Sequence, residues 1–252
     1  LDGNKVDDYT LYRQQSHATT WGASIGGPII KNKLFFFVNG EYINNVKAGP
    51  DGTARMSESE EWSPSTGTVH RPLQNDMDNL LSFLQQKYNY NPGRYQGYSA
   101  KDPSYKLLAR LDWNINENNK LNFRFSRSHD KGNTTPSTST SPFKDSVIYP
   151  GGNGLSAGRN QSGRLSNAAL YFESQRYDEI RNFTSIASEW NSKWGGVSNV
   201  LRLTYSYQDE PREYIGGMFP TVDILKDGST YASIGPDPFT VGNLRQVKTF
   251  VA

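Results

Sequence analysis

Apolar and polar residues take turns along several stretches of this chain. From Leu107 to Ile115 the odd positions carry Leu107, Ala109, Leu111, Trp113 and Ile115, with Arg110, Asp112 and Asn114 between them. Leu121, Phe123 and Phe125 alternate with Asn122, Arg124 and Ser126; Leu201, Leu203, Tyr205 and Tyr207 alternate with Arg202, Thr204, Ser206 and Gln208. Ile186, Trp190 and Trp194 share one parity against Glu189, Asn191 and Lys193. Nearer the start, Leu34, Phe36, Val38 and Tyr42 oppose Asn39 and Glu41, and Trp21, Ala23 and Ile25 make a shorter run. Successive side chains of a strand point to opposite faces, so a period of two predicts strands with one apolar and one polar face. Six are expected, near 19–27, 33–44, 104–116, 119–129, 182–194 and 197–209.

The connections sort into two kinds. Gly27–Asn32, Asn116–Asn119 and Gly195-Gly196 are short and rich in Gly and Asn, which accept the positive φ of tight hairpins. Between those hairpins lie residues about 45–103 and about 130–181, and another long connection begins near 210. In a compact soluble domain, structureless connections of that length argue against the strand assignment. An up-and-down barrel in an outer membrane produces them, with short turns on one rim and long external loops on the other. The expected strands also approach the roughly 9–11 residues that cross a bilayer at a tilt. Trp113, Trp190 and Trp194 fall within a few residues of short turns, where an interfacial aromatic girdle is expected. Alternation alone does not say which face is wet, because a soluble sandwich shows the same period.

The first long loop contains one helical pattern, Asp76 to Tyr88, with Asn75 or Asp76 as cap and an apolar stripe of Leu80, Leu81, Phe83 and Leu84. Asn91-Pro92-Gly93 is expected to stop it, and the helix is expected to pack on its own loop. The second loop holds a low-complexity polar tract, Thr134 to Pro142, and the glycine-rich Gly151–Gly154.

Composition narrows the class. Hydrophobic residues make up 35% of the 252 and mean hydropathy is -0.73, yet aromatics reach 13%, with Tyr 15, Phe 12 and Trp 5. Disordered chains share the low hydropathy but are poor in aromatics. There is no Cys, so thiolate and disulfide chemistry are excluded. A net charge of +2 is too small to imply nucleic acid. No apolar run approaches the roughly 18 residues of a membrane helix, which leaves barrels untouched. The chain opens on Leu1-Asp2-Gly3-Asn4 and ends on Phe250-Val251-Ala252, which enters another strand, so it reads as a segment of a longer protein.

Little points to catalysis. His17, His70 and His129 lack metal-ligand spacing, and no Gly-x-Ser-x-Gly, HExxH or Walker-type motif is present. Ser57–Glu61 is acidic but lacks the spaced Asp/Asn and Gly of a calcium loop. Gly151–Gly154 lacks the Lys-Ser/Thr of a phosphate cradle. No catalytic, cofactor or metal site is therefore expected. Arg159, Arg164, Arg176 and Arg181 surround an aromatic stretch, Leu170 to Tyr177. Such a surface suits an anionic or sugar-like ligand, although loop charges are more often simply solvated.

Gly26-Gly27-Pro28-Ile29-Ile30-Lys31-Asn32-Lys33-Leu34-Phe35-Phe36-Phe37-Val38-Asn39-Gly40-Glu41-Tyr42 resembles the early barrel of TonB-dependent outer-membrane receptors, in the Oar-like group common in Bacteroidetes. Leu108 to Asn116, Asn167 to Ser174, Phe219 to Ile224 and Pro238-Phe239-Thr240 are similar to the same group, in the same order. The resemblance implies a Gram-negative outer-membrane barrel of about 22 strands closed by a plug, taking up a bulky nutrient with energy from the TonB complex. Residues 1–252 are then a partial barrel domain without the plug and the remaining strands. The expected fold is all-β: an antiparallel transmembrane barrel segment of about six strands in three hairpins, with long external loops and one short helix. Its expected partners are outer-membrane lipid, the TonB complex through the parent's plug, and an unidentified nutrient. Arg110, Asp112, Arg124, Glu189, Lys193 and Arg202 are the expected lumen-facing residues, in structural charge pairs or plug contacts before substrate contacts. The rival reading is a secreted all-β adhesin that grips glycans with its loops; a β-rich hydrolase ranks last.

Overall fold

A computed structural model describes residues 4–6, 9–11, 16–64, 66–136, 164–227, 229–236 and 245–251. Seven strands form one antiparallel sheet in chain order: β1 (His17–Ile30), β2 (Leu34–Ala48), β3 (Ser99–Asn116), β4 (Asn119–Thr134), β5 (Tyr177–Trp194), β6 (Val197–Glu210) and β7 (Arg245–Val251). Each strand pairs with its successor, which is the meander expected from alternating short and long connections. The six expected strands are all present, and the apolar end of the chain supplies the seventh. A separate two-stranded ribbon joins Asn4–Val6 to Tyr9–Leu11.

The short turns differ in how they close. Asn32 adopts φ 61 between β1 and β2, and Gly195 adopts φ 60 between β5 and β6. The Gly27-Pro28-Ile29-Ile30 stretch, expected in the turn, belongs to β1, where a register shift between Pro28 and Ile30 accommodates the proline. Between β3 and β4 the chain turns at Glu117-Asn118 without positive φ. There Asn116 Oδ1 accepts from the Asn118 amide at 3.0 Å and from Asn119 Nδ2 at 3.0 Å, so the side chain fastens a turn whose ends, Asn116 and Asn119, pair in the ladder.

Away from the turns the strands outrun their predicted ends. β3 begins at Ser99, β4 continues to Thr134 and β5 begins at Tyr177. Their 16–18 residues exceed what a bilayer requires, so the sheet rises past the alternating segment. At the same end Arg212–Tyr214 pairs with β5 in the register that β6 already has. Pro211 interrupts β6 because it has no N–H, yet its carbonyl still accepts from the Ile180 amide at 2.9 Å.

The long connections are not structureless. Residues 53–98, 164–176 and 215–236, from three different loops, fold together into one layer. Val222–Lys226 pairs antiparallel with Ser229–Ile234, which pairs parallel with Leu170–Tyr171 from the preceding loop. Thr53–Arg55 pairs parallel with Val69–Leu73, which leads into helix α1 (Gln74–Tyr88). Met77, Leu84, Tyr90, Tyr95, Leu170, Phe172, Tyr231 and Ile234 form a shared core. Helix α1 thus buries Met77 and Leu84 against residues of two other loops, where the sequence suggested packing on its own. Its cap also differs: Leu73 occupies the N-cap without a side-chain bond, and Asn89 ends the helix in the left-handed region. Asp76 and Asp78 instead accept from Tyr231 and Tyr95, both at 2.6 Å. Burial, reinforced by the Asp76 bond, pushes the Tyr231 phenol up to about 12, and burial with the Asp78 bond pushes Tyr95 up as well.

Candidate functional site: the two sheet faces and the loop layer

Directly paired residues share a face, so the register sorts every strand residue. One face carries Trp21, Ile25, Leu34, Phe36, Val38, Leu107, Leu111, Trp113, Leu121, Phe123, Phe125, Ile186, Trp190, Leu201, Leu203, Tyr205 and Phe250. Many are open, among them Trp21 at 70%, Trp194 at 59% and Phe250 at 69% exposure. Arg127 and Lys248 interrupt it, paired with Leu107 and Tyr207, but an otherwise apolar surface over seven strands is far beyond what a soluble monomer exposes to water.

That face has edges. Leu34, Trp113, Leu121, Trp190 and Leu201 form a row beside the short turns; Trp21, Tyr42, Tyr105, His129 and Asn182 form another row eight residues farther along each strand. Eight residues span about 27 Å along a strand. Tilted by about 40°, that rises about 21 Å, a few ångström inside the roughly 25 Å apolar band of an outer-membrane barrel. The first row holds Trp113 and Trp190 of the three expected tryptophans; Trp194 lies four residues beyond, beside the turn, edge-on to Trp190 at 6.1 Å. Of this second girdle the sequence marks only His129, where a strand leaves for its loop at the outer rim. The girdle is joined by Tyr105 stacked on His129 at 5.0 Å, the His129 Nδ1 contact with Asn182 Oδ1 at 2.7 Å, and Asn182 donating to Asp209 at 3.1 Å.

The opposite face is polar. Asp112, Asn122, Glu189 and Arg202 lie in one register row, and Arg110, Arg124, Ala187 and Thr204 in the next. Five of the six expected inner-face residues therefore converge; Lys193 stands apart, opposite Ser198 near a turn. Arg110 donates to Asp112 at 3.0 and 2.7 Å, and Arg202 to Glu189 at 2.6 Å, while Asn191 holds the second Glu189 oxygen at 2.8 Å. Arg124 has no ion pair among the described residues. Three guanidiniums face two carboxylates here around a shallow cavity of about 310 Å³, so the patch is suited to weak, exchangeable contacts with anionic or hydroxyl groups. Phe35 and Phe37 also sit on this face, paired with Asp112 and Arg110; the unbroken Phe35–Phe37 run hid their sidedness.

The expected loop residues divide sharply. Arg164 is 1% exposed and bound to Asp223 through Nε at 2.8 and 3.1 Å and Nη2 at 2.8 Å, with Ser233 Oγ donating to the same carboxylate at 2.7 Å. Arg176 is also buried, whereas Arg181 is exposed between Asp130 and Glu179. The solvated role suggested by sequence thus holds for Arg181 and fails for Arg164 and Arg176, because the loops enclose them. Arg159, Gly151–Gly154, Ser137–Pro142 and Pro238-Phe239-Thr240 lie outside the described residues. Arg71, unremarked in the sequence, donates to the carbonyls of Ala168 at 3.1 Å, Lys226 at 3.0 Å and Thr230 at 3.2 Å, so it clamps three loops. No sequence signal distinguishes it from any other loop arginine.

The histidines have structural roles. His70 Nδ1 meets the Ala169 carbonyl at 2.7 Å, and burial lowers its pKa below the ordinary value. His129 stacks in the second girdle, and His17 pairs with Val46 at the loop end of β1. In the acidic run, Glu60 accepts from the Met56 amide at 2.6 Å and Arg55 donates to the Glu58 and Glu60 carbonyls. Among the described residues no group of three or more His, Asp or Glu could hold a metal ion.

A family model described as an outer membrane beta barrel domain matches residues 4–249. No curated protein and no solved structure matches the chain.

Proposed function

The chain belongs to the outer membrane beta barrel domain family, and from that premise we propose that it is part of the wall and outer face of a nutrient receptor, its parent being a TonB-dependent transporter of the Oar-like group. The observation that carries the proposal is the loop layer: three loops from one rim share one core above a wall whose inner face is charged. A pore for small solutes needs only short or mobile loops. A receptor needs a surface held in one shape, because a preorganised site avoids the entropy cost of ordering loops on capture. Ligand held there would pass over the Arg110–Arg202 patch once the parent's plug rearranged. Energy would come from the TonB complex acting on that plug, and lipid would contact the apolar belt. A secreted adhesin would have to expose that belt to water, which argues against the rival reading.

The test uses the parent protein in its own cells. Fractionation followed by gels with and without boiling is expected to place it in the outer membrane with heat-modifiable migration. A deletion strain is then grown on a panel of bulky carbon and metal sources, beside a strain lacking TonB. Loss of the same nutrient in both strains supports the receptor. A freely soluble parent, or a deletion that costs adherence to glycans and no nutrient, overturns it.

A further inference from the structure

Beyond the second girdle the strands and the loop layer line an open cavity of about 180 Å³, whose lining includes Tyr98, Lys101, Lys131, Asn133, Arg176 and Asp178. It is smaller than the roughly 300–1,000 Å³ of drug-sized sites, so it holds one functional group and not a whole nutrient. Its walls are polar and incompletely satisfied. Arg176 is 7% exposed and Tyr98 5%; the two side chains lie against each other, yet Arg176 Nε, the Tyr98 hydroxyl and Asn133 Oδ1 have no well-formed hydrogen bond among the described residues. Buried polar atoms are nearly always paired, and of these three Arg176 Nε and the Tyr98 hydroxyl are donors that an anion could satisfy.

The charges are just as uneven. Lys131 is neutralised by Asp178 at 2.5 Å, and the Asn133 amide nitrogen donates to the same carboxylate at 2.9 Å. Glu173, which also lines the cavity, accepts from the Arg94 amide at 2.8 Å but keeps its charge, outside ion-pair range of Arg176 among the described residues. Arg176 has no carboxylate in ion-pair range among the described residues; its guanidinium lies 5.6 Å from the Tyr98 ring centroid. A buried guanidinium without a counter-charge carries a large desolvation cost. A ring face compensates only a small part of that cost. Lys101, also without an ion-pair partner among the described residues, adds a second cation at the mouth.

We propose that this cavity binds a single oxyanion, a phosphate or carboxylate carried on a sugar, with Arg176 as its counter-ion and Tyr98 and Lys101 as further donors. The register says where the anion comes from. Asn133 pairs with Asp178 on the same face as Phe125 and Ile186, four residues past His129 and Asn182. That is about 13 Å along the strand beyond the second girdle, on the lipid side of the wall. At that height the anionic sugar headgroups of the outer leaflet are the nearest source, and a sugar acid on a captured nutrient is the other. The site rests on the receptor reading only for this second source.

The experiment is binding to the full parent protein purified in neutral detergent, with inorganic phosphate, glucuronate and glucose as soluble probes and lipopolysaccharide as the lipid probe. Phosphate and glucuronate are expected to bind in the millimolar range or tighter and glucose not at all. Arg176→Met is expected to weaken anion binding at least tenfold, and Lys101→Ala, on an open side chain, severalfold. Without any anion, Arg176→Met should leave the melting temperature unchanged or raised, since it removes an uncompensated charge. Lipopolysaccharide that outcompetes phosphate and copurifies with the wild type but not with Arg176→Met identifies the lipid as source. Glucuronate binding without lipopolysaccharide retention identifies the nutrient. Equal anion binding in wild type and Arg176→Met, or no binding of any anion, overturns the proposal. Nutrient uptake that persists in Arg176→Met would leave the receptor standing while showing that its transport does not depend on the site.

Discussion

Replacing Asp223 by Ala strands the Arg164 guanidinium at 1% exposure. Three N–O contacts of 2.8–3.1 Å disappear together with the Ser233 hydroxyl bond. Removing one member of a buried ion pair typically costs about 3–5 kcal/mol, most of it the penalty of leaving the other charge unpaired. The perturbation is local to the loop layer, whose Ser229–Ile234 strand is held by residues from all three loops, so the barrel wall should be untouched. In native-state hydrogen exchange, amides of 230–234 are then expected to open on the order of a hundred- to several-thousand-fold more often, while those of β3–β5 keep their protection. The double variant Arg164→Met/Asp223→Leu should recover most of the loss, because it removes both charges while keeping volume. Unchanged exchange at 230–234 in Asp223→Ala, or a double variant as loose as the single one, would refute this reasoning.

Two further expectations follow from other parts of the molecule. Ile186→Arg places a cation at mid-height on the lipid face and should cost about 2–4 kcal/mol of folding stability in vesicles, whereas Ser126→Arg on the inner face should cost little; equal costs would mean that the faces are assigned the wrong way round. Burial lowers the folded pKa of His70, so the unfolded chain binds the extra proton first. Loop-layer stability should accordingly be full above the ordinary histidine value of 6.5 and fall as pH drops below it toward the folded value. In His70→Gln that pH slope, read by exchange at Thr53–Arg55, should flatten; a slope unchanged by the substitution assigns it to another group.

The membrane-crossing part of this fold is legible in the sequence because lipid imposes a rule on every second residue. Leu107 to Ile115 and Leu201 to Gln208 announce their strands and their faces together. The rule lapses where the wall leaves the bilayer. Ser99–Asp102 and Asp130–Thr134 carry almost no apolar residue beyond Ala100, so their pattern does not separate strand from loop. The loop layer was illegible for a different reason. Its core is assembled from single residues far apart in the chain, Met77, Phe172 and Ile234 among them, with no period to reveal them. Arg164 looks like any surface cation until Asp223, 59 residues away, is brought against it. Arg124 illustrates the reverse case: its place on the polar face was plain from parity, but its lack of an ion-pair partner depends on register alone.

Arg71 fastens carbonyls that lie 97, 155 and 159 residues farther along the chain. Those carbonyls belong to two other loops, so the outer surface closes only when all three loops are in place together. A loop of this protein is consequently a poor unit for exchange between relatives. Transplanting residues 53–98 alone would bring α1 without the strands that bury it, so a reshaped outer surface would have to arrive as three loops at once.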